Sequence, residues 1–284
     1  MMEKKRSVEL YQEGQTQAAL AALDELVPEL QDYHDDIVLI GGLATYLLTK
    51  GFFKHCGSED VDFVVKTKIP RKGAETISEI TSRLGYEIKD KLYPFRWSKQ
   101  IIVGNEERSV NLDFISELDK GFDFNKHDYS TYFPLVQGSL YTMPLRTNLN
   151  IAFDFNFKKE SWENNSKNHT KSSCFRVIDL VGSIALKAER GEAKDCYDIF
   201  ALTYCGGGAQ KAADTFNQLV SHKEVSKVNL ELLKRTIQDL SRKFKDEWSS
   251  YVQEFDKKQR KDDVAKQVIA FLEPVTQHLQ HFFK

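Results

Sequence analysis

Two aspartates separated by a single residue, Asp60 and Asp62, open a segment rich in valine and phenylalanine. Such a segment favours a β-strand, whose side chains alternate between two faces, so both carboxylates point to one side about 7 Å apart at the backbone. Mg²⁺ prefers carboxylate oxygens and bridges them to nucleotide phosphates. The spacing therefore suits a metal ion used in phosphoryl transfer. Because the chain holds 42 acidic residues, this spacing also arises by chance, and its surroundings must decide.

A third carboxylate, Asp113, lies in a later apolar segment with Leu112 and Phe114 on either side. That segment also predicts a strand, with the two apolar neighbours on the opposite face from the aspartate. If it lies beside the first strand, Asp113 joins Asp60 and Asp62 as a candidate third ligand for Mg²⁺ or Mn²⁺.

Small residues precede the acidic pair at two places. Gly41 and Gly42 come directly after an apolar strand and open a predicted helix, so backbone N–H groups at the helix start can approach phosphates. Gly57 and Ser58 add a compact turn and a hydroxyl immediately before the pair. The alternative for Gly41 and Gly42 is an ordinary tight turn.

Charged residues recur farther along the chain at helical spacing. On one continuous helix Lys187, Arg190, Lys194 and Asp198 would form a single stripe that presents cations to a triphosphate. Gly191 interrupts this pattern, so the register beyond it is open. The alternative is a set of ion pairs on a helix surface.

These two blocks together resemble the nucleotidyltransferase (polymerase β-type) superfamily, and within it the AbiEii/MenT-like toxin nucleotidyltransferases. The resemblance spans about residues 36 to 204 and implies transfer of NMP from an NTP to an acceptor hydroxyl. It implies that Ser58 and Asp60 flank the metal and phosphates, and that Lys187 contacts the triphosphate. Asp195 or Asp198 would be the downstream essential acid, and both stay open. Glu59 departs from the threonine or arginine usual at its position.

The resemblance also implies partners. Some members add nucleotides to the 3′ end of tRNA as toxins that an antitoxin protein neutralises, so tRNA and an antitoxin are expected partners here. One alternative is an antibiotic-type adenylyltransferase with a small-molecule acceptor, for which an aromatic set could line a pocket: Tyr93, Phe95, Trp97, Tyr129, Tyr132, Phe133 and Tyr141. Another alternative is a non-catalytic nucleotide-binding relative.

The elements that must position these residues predict an α+β (α/β-like) fold. A small mixed sheet flanked by helices is expected over residues 1–160, together with N-terminal helices. The polar, asparagine- and serine-rich segment 160–173 is typical of a linker. Residues 174–284 show helical periodicity and predict a C-terminal helical domain that carries Lys187 and Asp198.

Composition narrows the class of protein further. The sequence has no apolar run long enough for a membrane span and no apolar leader segment, so we expect a cytoplasmic protein without membrane contact. A net charge of −2 gives no global electrostatic signal for nucleic acid, although local basic clusters such as Lys66 to Lys72 exist. The four cysteines form no C-x-x-C pair.

Overall fold

The computed structural model describes residues 7–11, 13–66, 68–116, 133–144, 158–163, 172–221 and 227–281. The chain forms two compact units. The sheet unit comprises Glu13–Ala44 and Gly57–Ile178, and the helical unit comprises Met1–Gln12, Thr45–Cys56 and Asp179–Lys284. Each unit has a buried apolar core of its own.

The sheet unit is built on a mixed sheet to which seven described strands contribute. The nine described strands of the chain are β1 (Ile37–Ile40), β2 (Asp60–Val65), β3 (Arg96–Val103), β4 (Glu106–Ser116), β5 (Leu135–Val136), β6 (Leu140–Tyr141), β7 (Met143–Pro144), β8 (Lys158–Glu163) and β9 (Ser172–Val177). The main sheet has the order β3-β4-β2-β1-β9-β8, with β7 paired to β4, while β5 and β6 form a separate hairpin. The pairs β2–β4 and β1–β9 are parallel, and β3–β4 and β1–β2 are antiparallel.

The central strands are apolar on the faces that they bury. Val61, Phe63 and Val65 of β2 are fully buried, as the alternation predicted, whereas Asp60 and Asp62 are partly exposed on the other face. Full burial of a side chain of this size contributes about 1.5–3 kcal/mol. The sheet thus holds the carboxylates on a face whose opposite side is locked into the core.

Three of the described α-helices belong wholly or partly to the sheet unit: α1 (Glu13–Glu29), α2 (Gly41–Thr49) and α3 (Ile77–Arg83). The boundary between the units falls within α2, after Ala44. At the start of α3, Thr76 and Glu79 form a reciprocal capping box, which satisfies two backbone N–H groups. This cap begins the helix at Ile77.

The helical unit contains the remaining helices: α4 (Leu180–Arg190), α5 (Ala193–Leu202), α6 (Ala209–Ser221), α7 (Lys227–Lys243), α8 (Ser249–Phe255) and α9 (Lys261–His281). A π-helical turn, Phe244–Trp248, joins α7 to α8. Aromatic rings fill much of the core, with Phe216 packed edge-on against Phe271 at 6.0 Å. None of the described helices has both the length and the apolar character that a membrane crossing requires.

The predicted α+β class is confirmed, with a mixed sheet, flanking helices and a C-terminal helical region. Both ends of the predicted 160–173 linker lie in strands, because β8 runs to Glu163 and β9 starts at Ser172, and residues 164–171 lie outside the described residues. The two strands pair in register, and β9 joins β1, so both of these ends belong to the sheet. The division between units accordingly falls after Ile178.

Candidate active site

One row of charged side chains crosses three neighbouring strands of the sheet unit. Asp62 of β2 pairs in register with Asp113 of β4, and Asp113 pairs with Arg96 of β3. The Arg96 guanidinium donates to both carboxylate oxygens of Asp113, through Nε at 2.7 Å and Nη2 at 2.5 Å. The prediction that the strand of Asp113 lies beside that of Asp62 is therefore confirmed, and the structure adds an arginine to the row.

A second row, two residues along each strand, is polar and lies on the same face. Asp60 pairs in register with Asn111, and Asn111 with Ser98. The Ser98 hydroxyl donates to Oδ1 of Asn111 at 2.8 Å, and the Asn111 amide donates to Oδ1 of Asp60 at 3.0 Å. Because the hydroxyl bond fixes which end of the amide is the acceptor, the Asn111 N–H points at Asp60.

Gly41 brings the start of α2 against this acidic face. It follows β1 directly, and Ile40 of β1 pairs with Asp62. Gly41 has a φ of +73°, and a Cβ atom there would lie 2.9 Å from Cγ of Asp62 and closer still to Oδ2. Glycine is required both by the left-handed backbone and by the neighbouring carboxylate. The predicted sequence of strand, glycine pair and helix is confirmed for Gly41 and Gly42.

The turn before the acidic pair is fixed by local contacts. Gly57 has a φ of +90°, and a Cβ there would lie 2.9 Å from Cβ of Thr16 on α1. Ser58 is buried, and its hydroxyl donates to the backbone carbonyl of Asp60 at 3.1 Å. These two residues hold the entry to β2 in place. Their predicted contact with metal or phosphate remains a prediction.

Carboxylates on the acidic face repel one another. Burial, followed by the charge of Asp113, raises the pKa of Asp60 to about 6, although Arg96 and Asn111 act in the opposite direction. The hydrogen bonds to Asp113 raise the pKa of Arg96 above its ordinary value. The carboxylates of Asp60 and Asp113 thus repel each other beside one guanidinium, and a divalent cation bound at this face would relieve that repulsion.

The residues fit a Mg²⁺ or Mn²⁺ ion held by two carboxylates. Mg²⁺ is usually bound by one or two carboxylates, with water and substrate phosphates completing its octahedron, and Asp60 and Asp62 supply such a pair. Among the described residues there is no group of three or more His, Cys, Asp or Glu side chains that could hold a metal. Both oxygens of Asp113 accept from Arg96. The role of Asp113 as a third ligand remains a prediction.

A second cluster of predicted site residues lies within the helical unit, around Asp198. This carboxylate is fully buried and accepts hydrogen bonds from Lys187, Lys194 and His55, the last from Nε2 at 2.8 Å. A carboxylate only accepts, so neutral His55 carries its proton on Nε2. Lys194 lies 3.4 Å from the same ring nitrogen and also faces the rings of Tyr11 and Tyr197.

Asp195 is also fully buried and binds a different cation. Arg190 donates to it through Nε at 2.6 Å and Nη2 at 2.5 Å, and the Glu192 N–H donates at 3.2 Å. Lys187 reaches it more weakly, with Nζ 3.8 Å from Oδ1. Asp195 and Asp198, between which the sequence could not choose the essential acid, are thus both buried, and each pairs mainly with a different cation.

The predicted single stripe on one helix is wrong. Gly191 ends α4 in the left-handed conformation, with a φ of +64°, and α5 starts at Ala193. Lys187 and Arg190 therefore come from α4 and converge on Asp198 and Asp195 of α5. Lys187 is only 5% exposed, so the alternative of ion pairs on a helix surface also fails for it.

Burial and charge shift the pKa values in this cluster. Burial, followed by the charge of Lys194, lowers the pKa of His55 to about 4, which keeps the ring neutral. Burial alone would raise the pKa of Asp198, but the charges of Lys187 and Lys194 hold it well below its ordinary value. Burial alone would lower the pKa of Lys194, but the charge of Asp198 raises it. The pair of Asp198 and Lys194 is therefore held in its ionised form, beside a neutral His55.

The aromatic set predicted to line a small-molecule pocket is dispersed between core and surface. Phe95 and Trp97 are buried, with Phe95 packed on Phe133 at 5.2 Å between ring centroids, whereas Tyr93 and Tyr141 are exposed. Tyr129 and Tyr132 lie outside the described residues. An open groove of about 510 Å³ lies on α7 and includes none of the predicted site residues.

Comparison of the chain with protein-family models, curated proteins and solved structures found no match in any of the three. The resemblance to toxin nucleotidyltransferases therefore rests on the motifs in the sequence.

Proposed function

We propose that the protein is a metal-dependent nucleotidyltransferase. The observation that carries the proposal is the face of the sheet unit where Asp60 and Asp62 stand side by side, with Asp113 in register and Gly41 packed against Asp62. A pair of adjacent carboxylates beside a glycine-opened helix start suits a nucleotide triphosphate and its cation. The motifs of the sequence point to the same activity.

In the proposed reaction an acceptor hydroxyl attacks the α-phosphorus of an NTP. A bond forms between the acceptor oxygen and that phosphorus, the bond to the bridging oxygen of the β-phosphate breaks, pyrophosphate leaves, and the proton of the hydroxyl passes to solvent. Asp60 and Asp62 would hold Mg²⁺ or Mn²⁺, which when bound supplies charge neutralisation on the phosphates. Such reactions depend mainly on positioning and electrostatics, which rigid strands provide.

The chain's own residues keep the two carboxylates in place. Asn111, oriented by Ser98, donates to Oδ1 of Asp60 and fixes its rotation. Gly41 leaves room for the carboxylate of Asp62 where any side chain would collide with it. The N–H groups of the first turn of α2 provide the positive end of a helix dipole for an anionic substrate.

The acceptor we propose is RNA, specifically the 3′ end of tRNA, with an antitoxin protein as a partner, as the resemblance implies. Local support comes from the lysines of the loop after β2. Lys66 and Lys72 lie close together, because both bind the buried carboxylate of Asp36. Lysines grouped in this way can contact a phosphate backbone.

The test is incubation of the purified protein with each α-³²P-labelled NTP, Mg²⁺ and total tRNA, followed by a denaturing gel. We expect label on tRNA with the wild type and none with Asp62→Asn. Labelled small products together with unlabelled RNA would indicate that the acceptor is a small molecule. Absence of any transfer by a folded wild-type protein, with every NTP and with Mn²⁺ in place of Mg²⁺, would contradict the proposed activity.

A matched pair of glycine variants tests the geometry of the site. Gly41→Ala places a methyl group against the carboxylate of Asp62, whereas Gly104→Ala, at a similar φ of +63°, meets nothing within 4 Å. Both variants carry a left-handed strain of about 1–2 kcal/mol. We expect Gly41→Ala to reduce transfer at least about 100-fold, since a displacement of 1 Å has that effect, while Gly104→Ala remains active. Equal activities of Gly41→Ala and Gly104→Ala would show that Gly41 is not part of the site.

A further inference from the structure

The strand β3 forms one edge of the main sheet, and described residues cover the first half of that edge. On its inner side β3 pairs with β4. On its outer side Glu87 exchanges two backbone hydrogen bonds with Ser98, at 3.0 and 2.8 Å. The N–H of Arg96 also donates to the carbonyl of Tyr93 at 3.0 Å. The segment that precedes the strand therefore closes the edge as far as Ser98.

The second half of the edge is open among the residues that the structure describes. Outward backbone groups recur at every second residue of a strand, so those after Ser98 belong to Gln100 and Ile102. Neither residue makes an outward backbone hydrogen bond to a described residue. Both are exposed, Ile102 by 74%. An open row of N–H and C=O groups is a template on which another strand can pair.

The open stretch lacks the charges, proline and bulges that usually prevent strands from pairing at an edge. Residues 100–103 are one glutamine, two isoleucines and a valine, and their register with β4 continues without a bulge. The charge of the preceding Lys99 is bound by Glu25 of α1 at 2.6 Å. The opposite edge differs, because four of the six residues of β8 are charged. The end of β3 is thus suited to pair with a further strand.

We propose that this edge pairs with the same edge of a second copy of the chain, antiparallel about a twofold axis. The register follows from the open groups, since an outward residue must face an outward residue. Gln100 opposite Ile102 of the second copy also places Ile102 opposite the other Gln100, so every open residue is used. Each of these two pairs exchanges two backbone hydrogen bonds. Ser98, which is already bonded to Glu87, stays outside the ladder.

This register makes the edge complementary to itself. Ile101 lies at the twofold axis and faces Ile101 of the second copy, with Cα atoms about 4.5 Å apart. Ile102 lies diagonally against Ile102 of the second copy, so its exposed side chain is covered. Facing residues of a pair project to the same side of a sheet, so the acidic faces of both copies would open to one side. A strand of another protein would need its own match, and for this reason the inference is a second copy.

Sedimentation equilibrium of the full chain tests the association. The concentrations run from about 1 μM to about 1 mM, the range of affinity that a small interface gives. We expect the apparent mass to rise from 32.7 kDa toward twice that value. Ile102→Lys puts a charge on the edge and should weaken dimerisation at least about tenfold. The control Leu92→Lys, at a residue that is also 74% exposed but precedes β3, should dimerise like the wild type.

Cysteine cross-linking tests the register. In Ile101→Cys the two Cα atoms would be about 4.5 Å apart, within the range of about 4.4–6.8 Å that a disulfide spans. In Ile102→Cys the separation would be roughly 7–8 Å, which exceeds that range. We expect a linked dimer on a non-reducing gel for Ile101→Cys and far less for Ile102→Cys, although Ile102 is the more exposed residue. Wild-type protein under the same oxidation measures the contribution of the native cysteines.

Three results would overturn the inference. A monomer at every concentration would do so, and would leave the edge to a strand of another protein. A dimer that Ile102→Lys and Leu92→Lys weaken equally would place the interface on another surface. Cross-linking of Ile102→Cys as efficient as that of Ile101→Cys would contradict the pairing. Circular dichroism melts establish that each variant is folded, and no readout depends on nucleotidyl transfer, so the proposed function is tested separately.

Discussion

Replacing Asp198 with asparagine should destabilise the helical unit severely. The change preserves the shape of the side chain but removes its charge. In the structure this carboxylate accepts from Lys187, Lys194 and His55 and has no exposed surface. An amide in its place leaves two buried ammonium groups without their main partner and can turn an N–H donor toward one of them.

The magnitude follows from the burial of the partners. Lys187 and Lys194 have side chains that are 6% and 15% exposed, so neither ammonium can be solvated without local opening. Removing one member of a buried ion pair costs about 3–5 kcal/mol, because the other charge stays buried. At roughly 3 °C per kcal/mol for a unit of this size, the melting temperature should fall by about 10–15 °C.

The assay is urea unfolding followed by circular dichroism and tryptophan fluorescence, to which the buried Trp248 of this unit contributes. The control is Asp239→Asn, which also removes a helical carboxylate with two cationic partners, Arg242 and Lys243, but at a site 38% exposed. Its expected cost is about 0–1 kcal/mol. A loss below about 1 kcal/mol for Asp198→Asn would refute the assignment of this cluster as a structural core.

Two further predictions concern stability. The pKa of His55 is lowered to about 4 from 6.5, so between these values the unfolded chain binds a proton that the folded chain does not. The free energy of unfolding should therefore fall as the pH falls from 6.5 toward 4. In urea titrations His55→Gln should show a weaker dependence of this free energy on pH. An unchanged dependence on pH would contradict the role of His55. Gly191→Ala adds left-handed strain and places a Cβ 2.8 Å from an indole carbon of Trp248, so we expect a loss of about 2–5 kcal/mol, against about 1–2 kcal/mol for Gly104→Ala. Similar melting temperatures for the two glycine variants would show that the indole ring of Trp248 can move aside at little cost in free energy.

Local sequence patterns predicted the elements that carry the acidic face. The apolar run before Gly41 predicted β1, and alternation from Asp60 onward predicted β2 with its two faces. Both signals depend on neighbours a few residues apart, which set backbone conformation and burial. The hairpin that joins β3, which ends at Val103, to β4, which begins at Glu106, is equally local.

Arg96, Ser98 and Asn111 were missed because their roles arise from pairing across strands. Counting back from the hairpin turn puts Arg96 opposite Asp113 and Ser98 opposite Asn111, so that part of both rows was available from the sequence once the turn was fixed. The parallel register of β2 with β4 was not available, because it depends on a long connection whose length does not determine it. The sequence could indicate which strands carry these polar residues, but it could not give the register between β2 and β4.

The stripe of cations failed for a related reason. Helical spacing places residues on one face only while the helix continues, and Gly191 adopts a φ of +64° that ends it. After that break, Lys187 and Asp198 meet through the packing of α4 on α5, and their spacing along the chain no longer matters. Here the glycine inside the pattern of charged residues was the better guide, because it marked the end of a helix. The spacing of the charged residues wrongly suggested one continuous helical face.

The charge balance of this cluster also separates the two roles that Lys187 could have. The cations Lys187, Arg190 and Lys194 face the carboxylates Asp195 and Asp198. Asp198→Asn removes the buried carboxylate on which both Lys187 and Lys194 depend, whereas Lys187→Met removes one of these two cations and leaves the other paired.

Because Lys194 and His55 still donate to Asp198 in Lys187→Met, and methionine has a similar length, we expect a smaller loss, about 1–2 kcal/mol. Urea unfolding of Lys187→Met and Asp198→Asn side by side measures the difference. Equal losses would contradict the charge argument. If Lys187 also contacts the triphosphate, as the resemblance implies, then Lys187→Met should lose nucleotidyl transfer while it stays folded. A folded, fully active Lys187→Met would restrict this lysine to the interior ion cluster.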